Sequence, residues 1–178
     1  HLEGGCDIVF QMGTAKYGVR DADGRLDDDK LRAVAAHDQV KMIEIKLAQG
    51  AKPGKGGILP GAKVTPEIAV IRGIPVGRDS ISPNRHVEVD DWDDLLDFIA
   101  HVRDVSGLPT GIKTVFGDAT TMREFFDTIM GRGIESAPDF ITIDGGEGGT
   151  GASPIVCGGR FCDIGARLHV QPWLHSGA

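Results

Sequence analysis

The feature that most constrains this chain is a repeated alternation of short apolar, β-favouring runs with longer segments of helical periodicity. Residues 7 to 12, Asp-Ile-Val-Phe-Gln-Met, lie between Gly5 and Gly13, as a buried strand would. Asp27 to His37 follows as a helix with Leu31, Val34 and Ala35 on one face, and residues 40 to 47 read as a second strand. The spacing next predicts a helix with Thr65 as N-cap and Pro66 at its first position, ending before Gly73. The clearest helix runs from Asp91 to Val105, where Trp92, Leu95, Leu96, Ile99 and Val102 recur at helical spacing and Gly107 closes the segment. Thr110 to Phe116 is a strand. Thr120 to Met130 is a helix with Met122, Phe125, Phe126, Ile129 and Met130 as its core stripe, ended by Gly131 and Gly133, and Asp139 to Asp144 is the last strand. Strands separated by helices pair in parallel, so the expected class is α/β built from βα units.

Composition narrows the function. The chain has 178 residues, 26 of them Gly, a 40% hydrophobic share and net charge −7, which describes a soluble globular chain able to bury a core. An acidic balance without clustered Lys or Arg argues against a nucleic-acid surface or an anionic membrane as partner. No apolar run approaches the roughly 20 residues that cross a bilayer. No basic-then-apolar leader opens the chain, so a cytoplasmic location is expected. Cys6, Cys157 and Cys162 form an odd set, and reduced thiols are the default reading.

Three segments carry chemistry. In the second strand, alternation places Val40, Met42, Glu44 and Lys46 on one side and Lys41, Ile43, Ile45 and Leu47 on the other. Two charges therefore share a largely apolar face near the strand end, which in a barrel is where inward side chains meet the C-terminal mouth. The following stretch from Gln49 to Lys63 is an irregular, glycine-rich loop that adds Gln49, Lys52 and Lys55. Ammonium groups beside close-approaching backbone suit an anion, and on physics alone a dicarboxylate and a phosphate are equally good. Lys55 reads as a solvated loop lysine, whereas Lys46, inside an apolar strand, reads as functional.

The second segment, Gly145 to Gly151, directly follows a strand, and it is either a tight βα turn or a backbone cradle for a flavin or its phosphate. The third is Lys113, a lone charge in an apolar strand, which either faces the barrel mouth or lies on an exposed edge strand. Arg85-His86, on a polar loop, reads either as a substrate contact or as a solvated or capping pair. Asp7 and Asp144 at strand ends are either catalytic or ties for loop amides.

Residues 40 to 61, with Lys-Met-Ile-Glu-Ile-Lys-Leu-Ala-Gln-Gly-Ala-Lys-Pro-Gly-Lys-Gly-Gly-Ile-Leu-Pro-Gly, and residues 144 to 154, with Gly-Gly-Glu-Gly-Gly-Thr-Gly-Ala-Ser-Pro, resemble signature segments of glutamate synthase. Gln11-Met-Gly-Thr-Ala-Lys-Tyr-Gly near the start and Ser80-Ile-Ser-Pro before the Trp92 helix fit the same family in order and separation. The likeness covers about residues 1 to 154 and is closest in detail to stand-alone FMN-binding glutamate synthase-like proteins. It implies a (β/α)8 TIM barrel carrying FMN at its C-terminal mouth, with an Fe–S cluster beside it in the enzymes proper. It also implies an oxidoreductase that condenses ammonia with 2-oxoglutarate and reduces the 2-iminoglutarate to glutamate with reduced FMN. Lys46, Gln49 and Lys52 would line the flavin and 2-oxoglutarate site. Gln11, Lys113, Asp144, Gly145, Gly146, Gly148, Gly149, Thr150 and Gly151 would bind the cofactor. Partners would be 2-oxoglutarate, ammonia or glutamine-derived ammonia, and an electron-donor protein or subunit.

The chain departs from the family at both ends. The first barrel strand should precede residue 1 and the last strands should follow residue 154, so residues 1 to 154 are expected to form an incomplete FMN barrel with exposed sheet edges. Residues 155 to 178 lack periodicity and read as an atypical tail, either frameshifted or disordered. The family's cluster cysteines lie well downstream of its Gly-Gly-Thr-Gly segment, so Cys157 and Cys162 are not taken as Fe–S ligands, and no metal site is expected. The alternatives are another FMN-dependent TIM-barrel oxidoreductase and a barrel fragment without catalysis.

Overall fold

The computed structural model describes residues 2–47, 57–116 and 118–144. In chain order its elements are β1 (Ile8–Met12), α1 (Asp28–Ala35), β2 (Val40–Lys46), β3 (Ile58–Leu59), α2 (Pro66–Arg72), β4 (Ser80–Ile81), α3 (Trp92–Ser106), β5 (Thr110–Thr114), α4 (Ala119–Arg132) and β6 (Ile141–Ile143). Four of the strands form one parallel sheet in the order β1-β2-β5-β6, while β3 and β4 pair antiparallel as a separate ribbon. This is the mixed α/β architecture with parallel pairing that the alternation of strands and helices predicts.

The helices begin where side chains can satisfy orphan amides. Asp27, Thr65, Asp91 and Asp118 each accept a hydrogen bond from the amide three residues on, and Pro66 opens α2 where no amide is needed. Gly107 ends α3 at φ 66°, a left-handed conformation that favours glycine, and its N–H donates to the Arg103 carbonyl. The core lies between one face of the sheet and the helices. Ile43, Ile45, Leu95, Leu96, Ile99 and Val102 are fully buried there, each worth ~1.5–3 kcal/mol relative to exposure. Asp139 fastens the entry to β6, because its Oδ2 accepts from Arg103 Nε at 3.0 Å and from the Thr110 amide at 2.7 Å.

Five expectations need correction. Val40 does not share a face with Met42, Glu44 and Lys46, because a register shift between Ile8 and Val9 skips Lys41 and turns Val40 into the core with Ile43 and Ile45. Phe126 and Met130 are exposed rather than core, since the stripe on α4 is narrower than its sequence implies and only Phe125 and Ile129 are buried in it. Gly131 does not end α4, which continues to Arg132 and closes at Gly133. The last two strands are shorter than their apolar runs, β5 stopping at Thr114 rather than Phe116 and β6 spanning Ile141–Ile143. The stretches read wholly as loop contain β3 and a 3-10 turn at Gly61–Lys63 before α2, and β4 after it.

Candidate functional site

Side chains alternate across a strand, so the face opposite the core is written by the other parity of each strand. The register aligns Gln11 with Glu44, Glu44 with Gly111, Lys46 with Lys113, and Lys113 with Thr142. Polar side chains are therefore gathered on one surface towards the C-terminal strand ends. Glu44 is its hub. Its Oε1 accepts from Gln11 Nε2 at 2.5 Å and its Oε2 from Thr142 Oγ1 at 2.6 Å, so one carboxylate links three strands. Glu44 is 8% exposed, and both oxygens being hydrogen-bonded is what makes that burial tolerable. Gly111 stands between Glu44 and Phe140 in the ladder, where a Cβ would lie 2.5 Å from the Phe140 ring and its carbonyl oxygen.

Two residues beyond this layer, Lys46 and Lys113 are direct neighbours on β2 and β5. β5 lies between β2 and β6, so Lys113 is not on an edge strand, and its side chain is 22% exposed. Asp144, just past β6, places Oδ1 at 3.7 Å from Lys113 Nζ, and its amide donates to the Thr114 carbonyl at 2.8 Å. Two lysines thus stand at paired register positions at the strand ends, with the Asp144 carboxylate beside Lys113. Of the residues singled out in the sequence, Gln11, Lys46, Lys113 and Asp144 are thus brought to one face. Gln49, Lys52, Gly145, Gly146, Gly148, Gly149, Thr150 and Gly151 lie outside the described residues, as does the tail with Cys157 and Cys162.

Sequence reasoning placed Glu44 on the charged face but gave it no role, and it left out Thr142, although each is two positions before a chosen residue, Lys46 or Asp144, the interval that keeps strand residues on one face. It also placed Arg85 and His86 together, and the structure separates them. Arg85 is exposed and pairs with Asp90, whereas His86 is 1% exposed and stacks at a tilt on Phe98, with ring centroids 5.5 Å apart. His86 Nε2 lies 3.0 Å from the Lys46 carbonyl oxygen, which can only accept, so Nε2 carries the proton and donates. Burial pushes the His86 pKa down to about 4, and the Lys16 ammonium pushes the same way against the weaker effects of the Lys46 carbonyl and Glu88.

Lys16 is itself fully buried in a left-handed conformation at φ 48° and reaches Glu88 Oε2 at 2.8 Å and the Gly24 carbonyl at 3.4 Å. Burial opposes ionisation of Glu88, but Lys16 and the Leu26 amide outweigh it and hold the carboxyl below its ordinary value. This ion pair pins the Lys16 turn to the loop that carries His86. A cleft of about 390 Å³ opens beside that loop, lined by Leu47, His86, Val89, Trp92, Leu95 and Thr114 among others. Leu47 and Thr114 have the parity opposite to Lys46 and Lys113, so the sheet separates the cleft from the lysine pair. The chemistry-bearing groups are on the lysine side.

Among the described residues no group of three or more His, Cys, Asp or Glu could hold a metal ion, and no helix is long and apolar enough to cross a membrane. Residues 1–159 match the conserved region in glutamate synthase. The chain is 46% identical over 153 residues to the glutamate synthase large subunit-like protein YerD of Bacillus subtilis, covering 86% of this chain and 29% of that protein. It is 41% identical over 149 residues to the archaeal glutamate synthase [NADPH] of Methanocaldococcus jannaschii, covering 84% and 26% respectively. The archaeal-type glutamate synthase [NADPH] of Thermotoga maritima is 35% identical over 152 residues, with coverage of 84% and 26%. The chain thus spans under a third of the length of these relatives.

Proposed function

Because this chain belongs to the glutamate synthase family, we propose that residues 1 to 154 are part of an FMN-dependent (β/α)8 barrel that makes glutamate from 2-oxoglutarate and ammonia, with residues 155 to 178 outside it. The observation that carries this reading is the Lys46–Lys113 pair at the C-terminal ends of two adjacent parallel strands, which is where α/β barrels place their sites. The residues fit FMN in chemistry. Two cations suit its phosphate or the negative charge of its reduced ring, Gln11 carries an amide for ring polar atoms, and the Gly145 to Gly151 run after β6 offers backbone amides.

When bound, FMN would supply the hydride. The chain's own groups would do the rest. Lys46 would line both the flavin and the 2-oxoglutarate, Lys52 would hold a carboxylate of the substrate, Gln49 would orient the oxo group, and Lys113 would stabilise negative charge on the cofactor side. Ammonia adds to the oxo carbon and water leaves, giving the 2-imino acid; the imine carbon accepts hydride and its nitrogen a proton to give glutamate. Asp144 beside Lys113 would direct that lysine. An electron-donor protein or subunit would restore the reductant.

A single-turnover experiment tests this. The chain is incubated anaerobically with photoreduced FMN, 2-oxoglutarate and ammonium, and glutamate is measured by mass spectrometry. Glutamate equivalent to the reduced flavin consumed supports the reading. Flavin that stays reduced with no glutamate above the protein-free control rejects it for this chain.

A further inference from the structure

We propose that His86, on the loop before α3, is a positioning residue that fixes the end of β2 and thereby the aim of Lys46. The observation is its bond: the imidazole donates Nε2–H to the main-chain carbonyl of Lys46 at 3.0 Å across 40 residues of sequence. The β1–β2 register stops one residue earlier, at Met12 opposite Ile45, and β1 then leaves the sheet through a turn in which the Lys16 amide donates to the Gly13 carbonyl. On the other side of β2, the Leu47 amide donates to the Lys113 carbonyl at 2.8 Å. The peptide joining Lys46 to Leu47 is thus held from both sides, by an imidazole and by β5.

His86 is built to do this and little else. It is 1% exposed and wedged against Phe98 of α3, and its loop is tied to the turn after β1 by the Lys16–Glu88 ion pair. A carbonyl accepts from a neutral imidazole as well as from a charged one, so the bond needs no proton uptake, and burial, with the nearby Lys16 ammonium, keeps the ring neutral. Nδ1 is buried with no partner among the described residues, so the ring is held for its Nε2 side alone. A side chain sitting one residue past the last β1 pair swings with its peptide plane. Fixing that plane holds the Lys46 ammonium beside Lys113, where the proposed anion site lies; the functional meaning of the inference rests on that reading.

The test uses the full chain with His86→Gln, whose amide nitrogen can occupy the Nε2 position, and His86→Met, which fills the space without a donor. Amide hydrogen exchange is followed at Leu47 and at Ile43, together with FMN affinity. Nitrogen-15 spectra of the imidazole in the unaltered chain should report the neutral Nε2–H tautomer. In His86→Met, Leu47 should exchange at least tenfold faster while Ile43, whose amide bonds the Pro109 carbonyl, keeps its rate; His86→Gln should restore Leu47 to within about threefold. FMN affinity should fall tenfold in the Met variant and recover in the Gln variant. An Nδ1–H tautomer, or equal acceleration of Leu47 and Ile43, overturns the positioning role, and the tautomer decides even if the Met variant does not fold. Exchange that behaves as expected in a chain that binds no FMN keeps the positioning role and rejects the flavin reading instead.

Discussion

Acidification should destabilise this fold through His86 before its carboxylates protonate. The imidazole has an ordinary pKa near 6.5 and one of about 4 in the fold, because burial and the Lys16 ammonium disfavour its charged form. Between those values the unfolded chain binds a proton that the folded chain refuses, so stability falls as pH falls through that window and levels off below it. The gap corresponds to roughly 3 kcal/mol, or about 1.4 kcal/mol per pH unit across the window. Glu88, held below its ordinary value, loses stability in the same direction at lower pH. Urea unfolding followed by tryptophan fluorescence from pH 7.5 to 4 would measure the slope, with His86→Gln as the reference. The variant keeps Lys16, Glu88, Arg85, Asp90 and Asp91, so subtracting its curve isolates the imidazole. The difference should shrink steadily as pH falls from 6.5 to about 4. Parallel curves over that range would show instead that His86 takes up its proton in the fold as readily as in the unfolded chain.

Lys16→Met should cost ~3 kcal/mol in urea unfolding at pH 7, because it leaves Glu88 without its buried cation, and it should raise the His86 pKa as seen in imidazole carbon shifts. Gly111→Ala should cost ~1–3 kcal/mol by the same assay, since the new methyl would meet the Phe140 carbonyl as well as its ring, and backbone cannot rotate aside. Glu44→Ala should lower stability by ~2 kcal/mol by stripping Gln11 and Thr142 of their shared acceptor, with a loss of slow exchange for the Thr142 hydroxyl proton.

The sequence carried most of the fold because its helices are punctuated by explicit caps and its strands by glycine. It was silent where one residue changes the meaning of a pattern. Strict alternation predicted the face of Val40 wrongly because a bulge is a property of the pairing with β1 and leaves no trace in β2 alone. The candidate site divides in the same way. Lys46 and Lys113 stood out as charges inside apolar strands, and register then made them neighbours. His86 was legible only as a substrate contact or a solvated or capping group, because its burial arises from contacts with Phe98 and Lys46, 12 and 40 residues away, rather than from anything in the polar loop around it. Lys16 was hidden for the same reason: its partner, Glu88, lies in that distant loop.

An anion-binding flavin site at the Lys46–Lys113 pair is open to measurement by equilibrium dialysis of FMN. The full chain, Lys46→Met and Lys113→Met would be compared at one ionic strength, with thermal unfolding as a control for integrity. Saturable binding of one FMN per chain, weakened at least tenfold by either substitution in a folded protein, is the predicted result. Identical retention of FMN by all three proteins, or none by the unaltered chain, would contradict it.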